Sequence, residues 1–200
     1  FFKISSCVYY SHDFMKNNKQ VIVMTPASLR VNYLQELKNC GGKLYKTNQY
    51  WEFIDIDNSN NKEELVQNLS NILNISSDYI TKNGGAWLVN VKKNSNYNTL
   101  SEGEKVSLDS QINEMITSKY RFLNYNGLRN SHLKDLTRNY TINPFDNKVI
   151  IIDEAHNFVS RIVNKIQRPE SLSMRLYEYL LSAENCKIVL LTGTPIINYP

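Results

Sequence analysis

VIIIDEAHNF, residues 149–158, opens with four β-favouring aliphatics that run directly into two carboxylates, Asp153 and Glu154. A short apolar run rich in β-branched residues reads as a buried strand. In open α/β sheets, ligands bind beyond the carboxyl ends of the strands, which is where these two acids fall. A carboxylate there can hold a hydrated Mg²⁺, an ion that takes oxygen ligands and keeps several waters. A second one beside it can orient or deprotonate a water that attacks a phosphate. His156, two residues on, can hydrogen-bond across to a neighbouring strand end. The plainer alternative is a strand that ends in a solvated Asp-Glu helix cap, and the other strand ends weigh on that choice.

Outward from this stretch, apolar runs alternate with amphipathic ones. QVIVM (20–24), YRFLNY (120–125) and KIVLL (187–191) read as further strands. Residues 7–18 are compatible with a short helix. Pro26 sits at a favoured first helical position, Leu29, Tyr33, Leu34 and Leu37 follow at helical spacing, and Gly41-Gly42 stops that helix. Residues 128–140, carrying Arg129, Lys134 and Arg138, are expected to be helical. Phe158, Val159, Ile162, Val163 and Ile166 mark another helix; Pro169 opens a third, with Leu172, Leu176, Tyr179 and Leu180 inward. Strands alternating with helices predict an α/β fold, a parallel sheet covered by helices on both faces.

Residues 43–118 have a different character, rich in Asn, Lys and Ser, and read as an inserted α+β subdomain between lobe segments 1–42 and 119–200. The insertion holds an aromatic patch (Tyr50, Trp51, Phe53), an expected helix over 62–74 and a Gly84-Gly85 turn before the strand-like AWLVNV (86–91). Ser101 and Glu104 form a capping box, and Leu108, Ile112, Met115 and Ile116 then share one helix face. Trp51, Phe53 and Trp87 could stack on bases; as the insertion's own small core they need no ligand.

The 200 residues are 42% hydrophobic and 21% charged, enough to bury a core and unlike a disordered chain. A net charge of +4 is compatible with a nucleic-acid partner without pointing to one. Cys7, Cys40 and Cys186 have no C-x-x-C spacing and read as reduced, buried thiols of an intracellular protein. No apolar run reaches the length of a bilayer span, and no signal peptide is visible, so neither a membrane nor secretion is expected. Most early basic residues, Lys16, Lys19 and Lys38 among them, read as a solvated face. His12 and His132 lack ligand-spaced partners. The ends, Phe1-Phe2 and Tyr199-Pro200, suggest a piece of a longer chain.

Two more strand ends carry polar signatures. Thr25-Pro26-Ala27-Ser28-Leu29 offers two hydroxyls and a helix N-terminus, a ready site for a backbone phosphate, with Arg30 beside it. Thr192-Gly193-Thr194-Pro195 offers two hydroxyls around a turn-forming glycine. The three ends, in this order, resemble motifs of the superfamily 2 helicases and translocases: TPASL (25–29) is similar to motif Ia, DEAH (153–156) to motif II and LTGTP (191–195) to motif III. Within that superfamily the chain looks like the SNF2-like DEAD/DEAH helicases of giant nucleocytoplasmic DNA viruses, relatives of poxvirus-type transcription NTPases. NQYWEFI (48–54), GGAWLVNV (84–91), YRFLNYNGL (120–128) and NKVIIIDEAHNF (147–158) carry that likeness.

The resemblance implies a RecA-like ATP-binding lobe that works with ATP and Mg²⁺ on DNA or RNA. Asp153 would bind the metal and Glu154 would position the catalytic water, with His156 beside them. His156, Thr192, Gly193 and Thr194 would couple nucleotide state to nucleic-acid grip. Thr25, Pro26, Ser28 and Arg30 would touch the tracked strand, and Asn126 and Gly127 fall in the motif Ib region. It also implies a second RecA-like lobe that supplies arginines to the nucleotide. A viral RNA polymerase is a further expected partner, and a virion or viral factory the expected location.

At the nucleotide loop the sequence departs from the pattern. A P-loop needs glycines to cradle phosphate, a Lys, and a Ser or Thr for Mg²⁺. The resemblance implies that this loop precedes a helix of about a dozen residues leading to the motif Ia strand, which would put it on FFKISS (1–6), a stretch with no Gly. Ser6 stands for the hydroxyl residue, Ser5 occupies the lysine's place, and Lys3 lies two positions early. An altered junction, a degenerate loop or a loop upstream of Phe1 each account for this. The degenerate loop leads to a second expectation: a non-hydrolysing lobe that binds nucleic acid or a polymerase subunit.

Overall fold

The computed structural model describes residues 20–194. The helix expected at 7–18, the nucleotide-loop stretch with Ser5 and Ser6, and Pro195 lie outside these residues. The described chain divides into two compact units, one of residues 32–119 and one of 20–31 with 120–194.

The discontinuous unit is built on a four-stranded sheet in which β1 (Val21–Met24), β4 (Tyr120–Leu123), β5 (Val149–Ile152) and β6 (Lys187–Leu190) lie in the order β4-β1-β5-β6, all parallel. The central strands β1 and β5 are buried at every position, so both of their faces are covered, as continuous aliphatic runs require in a parallel sheet. One face packs Ile22, Met24, Ile150 and Ile152 against three helices: α5 (Asn130–Leu136), α6 (Ala155–Val163) and α7 (Leu172–Leu181). The α/β arrangement, helices flanking a parallel sheet, agrees with the sequence reading and is consistent with a RecA-like lobe.

The helices differ from expectation in detail. After Pro26 the chain makes a 3₁₀ turn, Ala27–Leu29, before α1 (Arg30–Cys40), so Pro26 caps the turn rather than opening an α-helix. On α6 the apolar face is narrower than its composition suggested. Ala155 and Phe158 are buried and Ile162 packs beside them, whereas Val159, Val163 and Ile166 face solvent. The helix expected over 128–140 stops at Leu136. Arg138, Asn139 and Tyr140 are all left-handed, and the Thr137 hydroxyl accepts from the Tyr140 N–H and donates back to the Leu133 carbonyl. α7 begins at Leu172, capped by Ser171 rather than opened by Pro169, with Leu176 and Leu180 inward as expected.

The other unit holds a two-stranded antiparallel sheet, β2 (Trp51–Asp55) with β3 (Gly85–Val89), and the helices α2 (Lys62–Leu73), α3 (Ser77–Lys82) and α4 (Glu102–Lys119). α1 from Asn32 onward groups with this unit, where Lys38 ion-pairs with Asp109 of α4. Gly85 is required at the start of β3, since a Cβ there would lie 2.1 Å from the Ile54 carbonyl oxygen. The capping box forms as read: Glu104 N–H donates to the Ser101 hydroxyl and Ser101 N–H to the Glu104 carboxylate, at 3.3 and 2.8 Å. The α4 face of Leu108, Ile112, Met115 and Ile116 is buried throughout. Trp51 and Trp87 are core residues, their indole N–H groups bonded to the Thr47 carbonyl and the Ser107 hydroxyl; Phe53 packs edge-on to Trp87 at 5.3 Å but stays 41% exposed.

Candidate functional site

Parallel pairing sets the strand ends level. Met24 stands opposite Ile152, and Ile152 opposite Leu190. The residues immediately beyond, Thr25, Asp153 and Leu191, therefore emerge side by side along one edge. Backbone bonds continue past the strands and fix these tips together. Thr25 N–H donates to the Leu123 carbonyl (3.0 Å), Asp153 N–H to Met24 (2.9 Å) and Leu191 N–H to Ile152 (2.8 Å). Ala155 N–H then reaches back to the Leu191 carbonyl at 2.9 Å, which ties the first turn of α6 to the 191–194 segment. Three sequence-distant signatures thus share one sheet edge, held by main chain rather than by flexible side chains.

At the centre of that edge, Asp153 is half-buried, and its carboxylate accepts no hydrogen bond and forms no ion pair among the described residues. Glu154 follows at the N-cap of α6 in the left-handed region, φ 49° and ψ 48°, with its side chain not capping the helix. A non-glycine residue in this conformation costs about 1–2 kcal/mol. The turn is held by the phenol of Tyr125, which donates to the carbonyl oxygens of Asp153 (3.0 Å) and Glu154 (3.2 Å). The phenol's pKa is pushed up to about 12, by burial first and then by the charges of Asp153 and Glu154, so it stays a donor at neutral pH. Sequence reading placed Tyr125 in a strand and gave it no part in the site. The available signal was a lone hydroxyl just past a strand, next to the exposed Asn126-Gly127 turn.

His156 sits on the first turn of α6 and carries the network across to the 191–194 segment. Its Nδ1 lies 2.9 Å from the Thr192 hydroxyl, 3.3 Å from that of Thr194 and 3.3 Å from a Glu154 carboxylate oxygen. The Thr194 N–H donates to the Thr192 hydroxyl at 3.2 Å. Nδ1 has one proton or one lone pair, never both, so it satisfies one of these three partners well at a time. Protonated, it favours Glu154; as an acceptor, it favours a threonine hydroxyl.

At the first strand end, Thr25 is only 1% exposed, and its hydroxyl bonds the Pro26 carbonyl. The surface offered to a partner there is that of Ser28 and Arg30, both exposed, the guanidinium of Arg30 lying 5.8 Å from the centre of the Phe122 ring. Asn126 and Gly127 are exposed in a turn beyond β4 that is closed by Asn126 N–H donating to the Asn124 side chain. Among the described residues no set of three or more His, Cys, Asp or Glu could enclose a metal. That donor supply does not suit an all-protein cage. It does suit Mg²⁺, which takes one or two carboxylates and completes its shell with phosphate oxygens and water.

Among the described residues no helix is long and apolar enough to cross a membrane. No family model matches this chain, and no solved structure matches it.

Proposed function

We propose that this chain is the ATP-binding lobe of a nucleic-acid-dependent ATPase, which couples ATP hydrolysis to movement on DNA or RNA. The observation that supports it best is the carboxylate of Asp153, unpaired among the described residues, beside Glu154 at the middle of three neighbouring strand tips, with His156 linking Glu154 to Thr192 and Thr194. A solvated helix cap needs none of this: Glu154 does not cap α6 and holds a strained backbone instead.

In this reading Glu154 positions and deprotonates the attacking water, and its left-handed turn, pinned by Tyr125, fixes where the carboxylate points. Asp153 would hold Mg²⁺ together with a hydroxyl such as Ser6; when bound, the ion supplies charge neutralisation at the phosphates. His156 exchanges Glu154 for a threonine hydroxyl as the nucleotide changes state, and the bond from Ala155 to Leu191 transmits that exchange to the 191–194 segment. Ser28, Arg30, Asn126 and Gly127 face the nucleic-acid backbone at the neighbouring tips. A second RecA-like lobe would supply the remaining charge at the nucleotide, and a viral RNA polymerase is the partner that the resemblance suggests.

Glu154→Gln in the full-length protein tests the assignment. Nucleic-acid-stimulated hydrolysis should fall by about 10²–10⁴-fold, the usual worth of a positioned base, while the ATP-induced rise in melting temperature remains. Unchanged hydrolysis would remove Glu154 from its role. The glycine-free FFKISS favours one second reading, a lobe that binds nucleic acid or a polymerase subunit and hydrolyses nothing. The absence of any melting shift at saturating Mg-ATP would select it.

A further inference from the structure

On the discontinuous unit, next to the Tyr125 turn, lies a cavity of about 220 Å³ lined by Leu128, Phe158 and Leu176 and by Arg161, Lys165 and Ser173. No carboxylate lines it, and neither Arg161 nor Lys165 has an ion-pair partner among the described residues. Both cations line the same small cavity, Arg161 from α6 and Lys165 from the turn just past its end, so their like charges repel across it. An anion between them would turn that repulsion into attraction. Two hydroxyls complete the lining: Ser173, and Ser171, whose oxygen already accepts from the Met174 N–H and whose proton remains to donate.

Size decides between a whole ligand and part of one. Pockets that bury an entire small molecule run to about 300–1,000 Å³, so this one fits a single group of something longer. Arginine's fork matches phosphate oxygens, and serine hydroxyls donate to them. The apolar lining suits the carbons of an attached sugar better than it suits water. Tyr125 and Leu128, both in the lining, flank the exposed Asn126-Gly127 turn, so a strand lying on that turn passes the mouth of the cavity.

We infer that this cavity seats one backbone phosphate, with its sugar, of a single nucleic-acid strand that continues from the Asn126-Gly127 turn. The inference rests on the reading that the strand ends face nucleic acid, and adds to it a contact outside the strand-end motifs.

Fluorescence anisotropy of a labelled oligothymidylate on the full-length protein, over a salt series, tests it. The Arg161→Ala/Lys165→Ala double variant should bind about tenfold more weakly at moderate salt and lose about 0.7 from the slope of log K against log salt, the value of one phosphate on a single strand. Ser173→Trp fills the cavity without changing charge and should weaken binding as well, which a diffuse surface charge effect would not reproduce. Arg30→Ala serves as the comparison from the strand-end reading, and melting curves check that each variant folds. Unaltered binding by the double variant, or by a folded Ser173→Trp, overturns the inference; if Arg30→Ala then still weakens binding, the function reading survives it. A wild-type protein that binds neither oligothymidylate nor oligouridylate removes both. If it binds oligoglutamate instead and the cavity variants lose that, the cavity serves an acidic peptide and the inference is overturned.

Discussion

The two-stranded sheet of the insertion and the edge of the parallel sheet use polar groups in opposite ways. In the insertion, Gln111 lies buried on α4 and bonds Trp87 twice: its side-chain oxygen accepts from the Trp87 N–H at 2.7 Å and its NH₂ donates to the Trp87 carbonyl at 2.8 Å. Asn96 does the same for Trp51, at 2.9 and 3.0 Å. Each carboxamide stands in for a missing neighbouring strand, closing an edge that would otherwise recruit another chain. At the parallel sheet the strand tips carry two carboxylates and two threonine hydroxyls; among the described residues, Glu154, Thr192 and Thr194 meet through His156, and the Asp153 carboxylate bonds nothing. The insertion's polar groups are consumed by its fold, while those at the sheet edge are held by the main chain and left available. The contrast separates groups bound up in the fold from groups that the proposed function assigns to a ligand.

Substitutions sharpen or break that contrast. The largest stability effect belongs to Gln111→Ala, which strands a buried N–H and a buried carbonyl of Trp87 and opens a void. It should cost about 2–4 kcal/mol in urea unfolding. A loss below about 0.5 kcal/mol would mean the edge of the two-stranded sheet needs no such partner. Tyr125→Phe comes next, at about 1 kcal/mol for the bonds to Asp153 and Glu154. It also has a pH signature. In the folded protein the Tyr125 pKa is raised to about 12 from an ordinary 10.0, so between those values the folded state holds a proton that the unfolded state releases. Stability from this group is intact below pH 10 and is lost as pH rises through 12. Tyr45, pushed up to about 12 by burial, adds a loss of the same sign, so the difference between wild type and Tyr125→Phe isolates the site's part.

Smaller still, Glu154→Gly should stabilise the fold by about 0.5–1 kcal/mol, because glycine relieves the left-handed strain at some cost in unfolded-state entropy. A gain in stability together with lost hydrolysis is what a residue kept for chemistry would give. Asp153→Asn should leave stability within about 0.5 kcal/mol of wild type, since its carboxylate bonds nothing among the described residues, while abolishing any Mg²⁺-dependent nucleotide shift in melting temperature. If Asp153→Asn proved as destabilising as Gln111→Ala, the acid would be a structural group and the contrast would fail.

Much of this was legible because local rules and burial agree. The runs VIVM and VIII have one comfortable environment, a sheet covered on both faces, and the Ser101/Glu104 box announces its helix without help from tertiary structure. What escaped depends on neighbours. Val159, Val163 and Ile166 have the right chemistry for a core face, but the first turn of α6 is fixed by the Ala155–Leu191 bond, and this orients Phe158 and Ile162 toward the sheet instead. The early end of α5 follows from three left-handed residues that Thr137 secures, a local bargain no periodicity reveals. α3 is six residues long, too short for a periodic signal. At the site, the types and positions of Asp153, Glu154, His156 and Thr192 could be read. The order β4-β1-β5-β6, which makes them neighbours, and the Tyr125 hydroxyl beneath them could not.

That strand order also sets a schedule for biosynthesis. β1 lies between β4 and β5, and both come after the whole of residues 32–119. As the chain leaves the ribosome, the insertion is complete before β1 has either partner. The central strand of the sheet, four aliphatic residues with two bare edges, must wait through that interval. Non-local pairing of this kind is slow and exposes the waiting segment to aggregation, so where the insertion enters the sheet sets how long β1 goes uncovered.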